Sequence, residues 1–250
     1  MKIAVCIKQV PDTETKIRIS GDKKSIEESD INFVLNPYDE LAVEESLKIT
    51  EAHGGDVTIV SVGPDRISAA IRNALAMGAT KAIHLKTEKN PHDPIAVATA
   101  LAPFLKEGGF DIIILGKQAI DDDHAQMAAL LSELLNIPAI TVVTKLDIQG
   151  EQITAERQIE GGLEKIEAKL PVIISAQRGL NEPRYASLKG IMAAKKIQIE
   201  EKEVTVDQDN IEISEINYPP EKPPGKIVGE GADAVPELIR LLREEAKVLS

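Results

Sequence analysis

Aromatic residues are scarce in this 250-residue chain, which has no tryptophan, three phenylalanines and three tyrosines. Its core must therefore be built from isoleucine, leucine, valine and alanine. Cys6 is the single cysteine, so an internal disulfide is excluded and a reducing compartment is expected. The apolar runs are shorter than the roughly 20 residues of a membrane helix. The first residues enter a strand pattern without a signal-peptide layout. We therefore expect a cytoplasmic protein, bacterial or archaeal, that does not insert into membranes.

Positive charge is also in short supply. Lysine and arginine total 29 against 41 acidic residues, which gives a formal charge of −12. This balance argues against nucleic-acid binding, which depends on a basic surface. The four histidines and Cys6 lack the spacing of metal ligands, and the chain has no recognisable nucleophile motif. We therefore expect neither a metal site nor catalytic residues.

Short apolar runs alternate with amphipathic helical stretches through the first half of the chain. Two helices are marked by start signals at Asn36-Pro37 and Asp93-Pro94, and Pro103 suggests a kink or an early end of the second. This alternation predicts right-handed βαβ units, and therefore an α/β fold whose open parallel sheet carries helices on both faces. The expected strands are Ile3–Ile7, Val57–Val62, Ala82–Leu85, Ile112–Leu115 and Ile137–Val143.

The rhythm changes after Lys145. Turns at Gln149-Gly150 and Gly161-Gly162 predict antiparallel strands, after which Val172–Ser175 returns to the sheet. Beyond Arg178 the sequence no longer has the pattern of a compact domain. It ends in a proline-rich segment, Tyr218–Gly225, and a helix expected from about Asp233 to Leu249. An apolar stripe without a core of its own predicts packing on another polypeptide.

The most informative stretch is Gly116–Met127, GKQAIDDDHAQM, between a buried strand and a helix predicted over Ala125–Leu135. Ligands bind at such strand ends in open α/β sheets, and the N–H groups of the helix start can hold an anion. The three aspartates, Asp121–Asp123, either stabilise the positive end of the helix or accept hydrogen bonds from ribose hydroxyls. Both interpretations stay open on the residues alone. A magnesium site is disfavoured because three adjacent carboxylates cannot point to one centre.

Several motifs in order resemble the beta subunit of electron transfer flavoprotein along essentially the whole chain. They are VCIKQVPD near the start, NPYDELAVEESL from Asn36, ALAMGATKA from Ala74, LGKQAIDDD from Leu115, EGGLE from Glu160 and LNEPRYASLKGIM from Leu180. The resemblance implies a Rossmann-like, adenine-nucleotide-binding fold. It also implies a heterodimer with an alpha subunit that holds most of an FAD, and an AMP without redox role in this chain.

The resemblance further implies a carrier rather than an enzyme, which passes electrons from flavin dehydrogenases to a quinone reductase or a similar acceptor. By the same resemblance, this chain has three parts. Residues 1–178 form the nucleotide-binding domain, and residues 179–200 form the recognition loop and the helix after it. Residues 201–250 form an arm that packs on the alpha subunit. The implied AMP-site residues are Cys6, Asn36, Pro37, Tyr38, Asp39, Val62, Gly116, Gln118, Ala119, Ile120, Asp121, Asp122, Asp123, His124, Ala125, Gln126 and Met127.

Two residues, Thr13 and Tyr38, fall where the family brings side chains near the flavin ring. Leu188 would be the anchor that inserts into an apolar pocket of the dehydrogenase, although packing against its own subunit is the rival interpretation. The docking residues implied are Arg184, Tyr185, Leu188, Ile191, Met192, Lys195 and Lys196.

Two alternatives remain. Electron-bifurcating relatives have a glycine where Asp122 stands and bind a second FAD in place of AMP; the bulk and charge of Asp122 favour AMP. A stand-alone nucleotide-binding or nucleotide-cleaving protein of the same build is the other possibility. A cleaving enzyme lacks support because Lys8-Gln9-Val10-Pro11 replaces a Ser-Gly-Gly loop after the first strand, and a solitary binding protein is disfavoured by the long tail after Arg178, which needs a partner to pack on.

Overall fold

The computed structural model describes residues 1–206, 210–222 and 224–249. The chain forms two compact units, Met1–Ser214 and Glu215–Ser250. The second unit contains a short 3₁₀ turn, Ala232–Ala234, followed by a helix over Val235–Glu244. This helix ends before Leu249, the end that the sequence pattern predicted.

The first unit contains eleven strands and five helices among its described residues. The strands are β1 Lys2–Cys6, β2 Gln9–Pro11, β3 Phe33–Leu35, β4 Asp56–Gly63, β5 Lys81–Lys86, β6 Ile112–Gly116, β7 Ala139–Gln149, β8 Gln152–Ile159, β9 Gly162–Lys169, β10 Val172–Ala176 and β11 Glu200–Glu203. The helices are α1 Pro37–His53, α2 Ser68–Met77, α3 Pro94–Gly108, α4 Met127–Leu135 and α5 Leu188–Ala194.

Nine of the strands form one sheet in the order β11-β5-β4-β1-β6-β10-β7-β8-β9. The pairs from β11 to β7 are parallel, whereas β8 and β9 add antiparallel pairs at the far edge. The predicted parallel sheet and the antiparallel segments after Lys145 are therefore confirmed. The short strands β2 and β3 form a separate antiparallel ribbon, which the sequence pattern did not predict.

Helices cover both faces of the sheet, as alternation along β1 illustrates. Ile3 and Val5 point into the core formed with α1 and α2, whereas Ala4 and Cys6 point into the core formed with α3 and α4. Because both faces are buried, the central strands are apolar throughout rather than alternately polar.

The strand order reverses at β1. The chain runs from β1 outward through β4 and β5, then returns to place β6 on the other side of β1. The helix that follows β1 packs on one face and the helix that follows β6 packs on the other. Their connections therefore separate and leave a crevice above the carboxyl ends of β1 and β6, the place where open α/β sheets bind ligands.

Pro103 does not end α3, which continues to Gly108, so the expected early end is wrong. Pro103 lies on the exposed side of the helix, where water can replace the backbone hydrogen bond that proline cannot donate. At the start of this helix the side chain of Asp93 accepts the N–H of Ile95 at 2.9 Å, as expected for a cap.

The chain beyond Arg178 contributes to the sheet more than its composition suggested. The charged strand β11 pairs in parallel with β5 as the edge strand, and the N–H of Asn210 donates to Asp93 at 3.2 Å. The first compact unit therefore extends to Ser214, past the expected divisions at 178 and 200. Residues 207–209 of the expected arm and Pro223 of the expected linker lie outside the described residues.

Candidate functional site

A buried carboxylate holds the crevice together. Asp39, in the first turn of α1, accepts the backbone N–H of Lys8 at 2.7 Å and that of Gly116 at 2.9 Å. It thereby joins the residues that leave β1 and β6. Burial raises the pKa of Asp39 to about 7, although the two backbone N–H groups oppose this shift. The family resemblance implied Asp39 as an AMP-site residue; in the structure its carboxylate joins the ends of β1 and β6.

Asn36 holds the loop after β6 rather than capping α1. Its Nδ2 donates to the carbonyl of Gln118 at 2.9 Å, and its Oδ1 accepts the N–H of Ile120 at 3.3 Å. The expected side-chain cap is therefore wrong, because both polar atoms of the buried Asn36 are used by the loop. Pro37 begins the helix as expected.

An ammonium group spans the crevice. The Nζ of Lys8, just after β1, lies 2.8 Å from Asp121 Oδ1 and 2.7 Å from Asp122 Oδ2 in the loop after β6. Although burial opposes it, the charge of Asp121 and hydrogen bonds to both carboxylates raise the pKa of Lys8. Partial burial would raise the pKa of Asp122, but hydrogen bonds and charge from Lys8, together with the N–H of His124, outweigh burial and lower it. Lys8 therefore pairs with two of the three loop carboxylates.

The rest of the loop is shaped by two residues with left-handed backbone. Asp123 and Ala125 both have a φ of 53°, which is incompatible with a right-handed helix. For this reason α4 begins at Met127 and not at the predicted Ala125. Gln118 Nε2 donates to Asp123, so this third carboxylate is directed away from Lys8. Such backbone strain is typical of functional loops.

The base of the crevice is tightly packed. A methyl group at Gly116 would collide with the Asp39 carboxylate and the backbone of Tyr38. Cys6 closes the end of β1 and is buried, and this burial raises the pKa of its thiol to about 12. Cys6 is thus an uncharged wall residue rather than a nucleophile. Val62 lies half-buried at the end of β4.

Positive groups surround the half-buried ring of Tyr38. Lys117 Nζ lies 6.0 Å and Arg178 Cζ 5.8 Å from the ring centroid. Thr13, the second residue predicted near a flavin, lies exposed in the turn that follows β2. Among the described residues, no group of three or more acidic, histidine or cysteine side chains is placed to hold a metal ion.

The loop has acceptors and donors that fit a ribose and a phosphate. Lys8 contacts Oδ1 of Asp121, so the second carboxylate oxygen can accept a ribose hydroxyl. The first N–H groups of α4 have no acceptor within the helix and can bind a phosphate. Residues 121–126 are exposed and can contact a ligand directly. These are groups expected for the nucleotide interpretation. Both oxygens of Asp122 already have a partner, because Oδ1 accepts the N–H of His124 at 3.1 Å and Oδ2 accepts from Lys8 Nζ at 2.7 Å.

The predicted docking residues lie before, on and directly after α5. Four apolar side chains, which we call the apolar ridge, are exposed there: Tyr185, Leu188, Ile191 and Met192. Leu188 is 84 % exposed, so the rival interpretation that it packs on its own subunit is wrong within the described residues of this chain. Lys195 and Lys196 are also exposed, whereas Arg184 is paired with acidic residues of α1.

Two residues of the candidate site were not predicted from the sequence. Lys8 was not predicted as a site residue, although its position directly after β1 was a usable signal. Arg178 next to Tyr38 was taken only as a domain boundary. Both were missed because each partner is far away in the chain.

A family model and three relatives place the chain among known proteins. The family model described as the Electron transfer flavoprotein domain matches residues 24–207. The chain is 42 % identical over 259 aligned residues to a protein of Bacillus subtilis named Electron transfer flavoprotein subunit beta, and the alignment covers 100 % of both. A protein of the same name from Dictyostelium discoideum is 40 % identical, with 99 % of both chains covered. A third, from Syntrophomonas wolfei, is 38 % identical over 99 % of this chain and 98 % of its own length.

Proposed function

Because this chain belongs to the family of electron transfer flavoprotein beta subunits, we propose that it holds an AMP in the crevice between β1 and β6. The observation that carries this proposal is the Lys8 bridge to Asp121 and Asp122 across the crevice. The bridge fixes the loop between the end of β6 and the start of α4. In this position one carboxylate faces outward to accept ribose hydroxyls, and the helix N–H groups donate to the oxygens of a phosphate.

The AMP has a structural role in this proposal. A ligand that binds only the folded protein stabilises it by about 2.7 kcal/mol at a hundredfold excess over its dissociation constant. AMP would join the strand ends of β1 and β6 through the same loop that Asn36 and Asp39 already hold. It takes no part in electron transfer, because adenine, ribose and phosphate have no accessible redox chemistry.

Family membership implies pairing with an alpha subunit in an electron transfer flavoprotein. We infer that the alpha subunit holds most of the FAD and that this chain supports it beside Tyr38. FAD, when bound, supplies the electron-carrying group. The chain's own contribution is an aromatic ring flanked by the cations Lys117 and Arg178, which can face a flavin or its phosphates. Thr13 is proposed as a second neighbour of the flavin from its exposed turn.

The apolar ridge is the proposed docking surface for flavin dehydrogenases. Exposed apolar side chains that lie close together mark protein interfaces. Leu188 lies between Tyr185 and the pair Ile191 and Met192 in the chain and is exposed. Lys195 and Lys196 add positive charge at the end of α5, which can steer an acidic partner. The electrons would pass on to a quinone reductase or a similar acceptor.

Co-expression with a candidate alpha subunit tests the proposal. The expected product is a yellow heterodimer that releases one FAD and one AMP on denaturation, identified by mass spectrometry. Two FAD and no AMP would instead support the bifurcating type. A colourless chain that binds adenine nucleotide without a partner would support a stand-alone nucleotide-binding protein and contradict the carrier role.

A further inference from the structure

The segment that leads to the apolar ridge is fastened to α1 by two residues. Arg184 Nε lies 2.8 Å and Nη2 3.0 Å from the two carboxylate oxygens of Glu44, while the Arg184 backbone N–H donates to Glu44 at 3.1 Å. The remaining terminal nitrogen, Nη1, pairs with Glu51, two helical turns farther along α1. One guanidinium therefore joins two carboxylates in a geometry that only a planar fork provides.

Asn181, three residues before Arg184, makes a second attachment to α1. Its Nδ2 donates to the carbonyl of Leu41 at 3.0 Å and to the Glu45 carboxylate at 2.9 Å. Glu44 and Glu45 are both buried, with 5 % and 7 % of their surface exposed. A buried carboxylate is costly unless it is paired, so these two acids are placed to receive the incoming segment. We call Arg184, Asn181 and their acceptors on α1 the clasp.

The other end of the ridge is fixed on α2. Arg72 Nη1 donates to the carbonyls of Ala194 and Ile197, at and after the end of α5. Gly190 lies so close to the carbonyl of Ala76 that a Cβ would collide with it. The inner face of α5 is thus packed tightly while its outer face remains exposed. The ridge is held from both ends by polar bonds that do not involve its apolar side chains.

Such an arrangement separates two tasks. Four apolar side chains provide contact area, and polar residues outside the contact area determine where they point. Exposed apolar side chains on an untethered loop would collapse onto their own subunit or sample many orientations, and ordering them on contact would weaken binding. If only a fraction of the conformers can bind, the apparent dissociation constant equals the intrinsic constant divided by that fraction, so a less ordered ridge binds its partner more weakly.

We propose that Arg184 is a positioning residue for the docking surface: its ion pairs with Glu44 and Glu51 order the apolar ridge before a flavin dehydrogenase arrives. This inference rests on the proposed docking function. It corrects the expectation that Arg184 itself contacts the partner, because its guanidinium is already committed to α1. The occupant of the ridge is a protein with an apolar pocket, as its four uncharged side chains require.

The test uses the heterodimer with Arg184→Met, which keeps the length of the side chain but removes the fork. Hydrogen exchange of the amides from 185 to 192 should accelerate. With a flavin dehydrogenase that reduces the wild-type heterodimer as the probe, the KM for the heterodimer should rise about tenfold if only about a tenth of the ridge conformers remain competent. The kcat should not change, because the flavin environment is untouched.

Two further variants make the result specific. Arg184→Lys keeps the charge but cannot engage both carboxylates in parallel, so its KM should lie between wild type and Arg184→Met. Arg157→Met is the matched control, because Arg157 on β8 also binds an acidic residue, Glu164 on β9, away from α1. It should alter neither ridge exchange nor KM.

The outcomes separate the clasp from the docking function. Unchanged exchange in Arg184→Met would show that the clasp does not order the ridge and would overturn the inference. Faster exchange with an unchanged KM, while Leu188→Ala raises the KM, would overturn the inference and leave the docking function in place. An unchanged KM in Leu188→Ala would overturn the docking function, and the inference with it.

Discussion

The Oδ1 atom of Asp39 lies 2.9 Å from the backbone nitrogen of Gly116, although 77 residues separate the two in the chain. The first residue of the candidate nucleotide loop is therefore fixed by a carboxylate of α1 and not by the sheet alone. The second oxygen of Asp39 accepts the N–H of Lys8 in the same way. A single buried side chain thus joins the residues at the ends of β1 and β6.

Asp39→Asn should destabilise the fold and alter its response to pH. The two oxygens of Asp39 accept two N–H groups, and an asparagine leaves one of them facing an NH₂ group, which costs about 1–3 kcal/mol. The pKa of Asp39 is raised by burial from 3.8 to about 7, so between these values the folded state binds more protons than the unfolded state. The contribution of Asp39 to stability therefore falls as pH rises, by up to about 1.4 kcal/mol per pH unit.

Denaturant titrations of the heterodimer at pH 5 and pH 7.5 measure this effect. The loss of stability in Asp39→Asn should be larger at pH 5, where the wild-type carboxyl is protonated in the folded state only. Glu107→Gln, at an exposed position on α3, serves as the control and should give the same small change at both pH values. Equal losses at both pH values for Asp39→Asn would contradict the burial argument.

Gly116→Ala should weaken the nucleotide site. The added methyl group meets the carboxylate of Asp39 and the backbone of Tyr38, and relief of this overlap costs typically about 1–3 kcal/mol. Melting temperature and AMP content should both decrease. Gly162→Ala, in β9, has open space around the new methyl group and should leave both unchanged. Full AMP content in Gly116→Ala would show that the close approach has no role in binding.

Lys8→Met tests the bridge across the crevice. Exposed ion pairs contribute about 0–1 kcal/mol, so the change in stability should be small. Without the ammonium group, Asp121 and Asp122 repel each other and release the loop, so the AMP content of the purified variant should fall below that of the wild type. The loss should be larger at low salt, where the repulsion is least screened. Lys145→Met, which removes the ion pair with Glu156 on β8, is the matched control. Identical AMP content in both variants would exclude the bridge as a binding element.

Leu188→Ala should slow the reduction of the heterodimer by a flavin dehydrogenase without changing the FAD content. An exposed side chain contributes to a partner's binding and not to its own fold, so the melting temperature should be that of the wild type. Leu134→Ala, at another exposed leucine on α4, is the control for loss of surface area. Stopped-flow traces with a raised KM for Leu188→Ala alone are the expected result, and equal kinetics in all three proteins would remove the docking role.

Local signals were enough to predict the sheet and to propose where a ligand would bind. Apolar runs such as Ile112–Leu115 predicted buried parallel strands, and the glycine turn at 161 and 162 predicted the antiparallel hairpin. The place of the nucleotide loop followed from strand and helix order, since ligands bind where such strands end. Within the described residues no helix is long and apolar enough to cross a membrane.

By itself, the sequence determined the order of the central parallel strands and their helices, though not the β2–β3 ribbon, because apolar periodicity and start and stop residues act within a few positions of one another. The edge strand β11 was not predicted from the sequence, because Glu200–Glu203 is charged and its position depends on pairing with β5 rather than on burial. Tertiary structure alone decided that Asn36 binds the loop, that Lys8 spans the crevice and that Arg184 faces α1. These assignments depend on partners 82, 113 and 140 residues away, and only the folded chain brings their charges and hydrogen-bonding groups into contact.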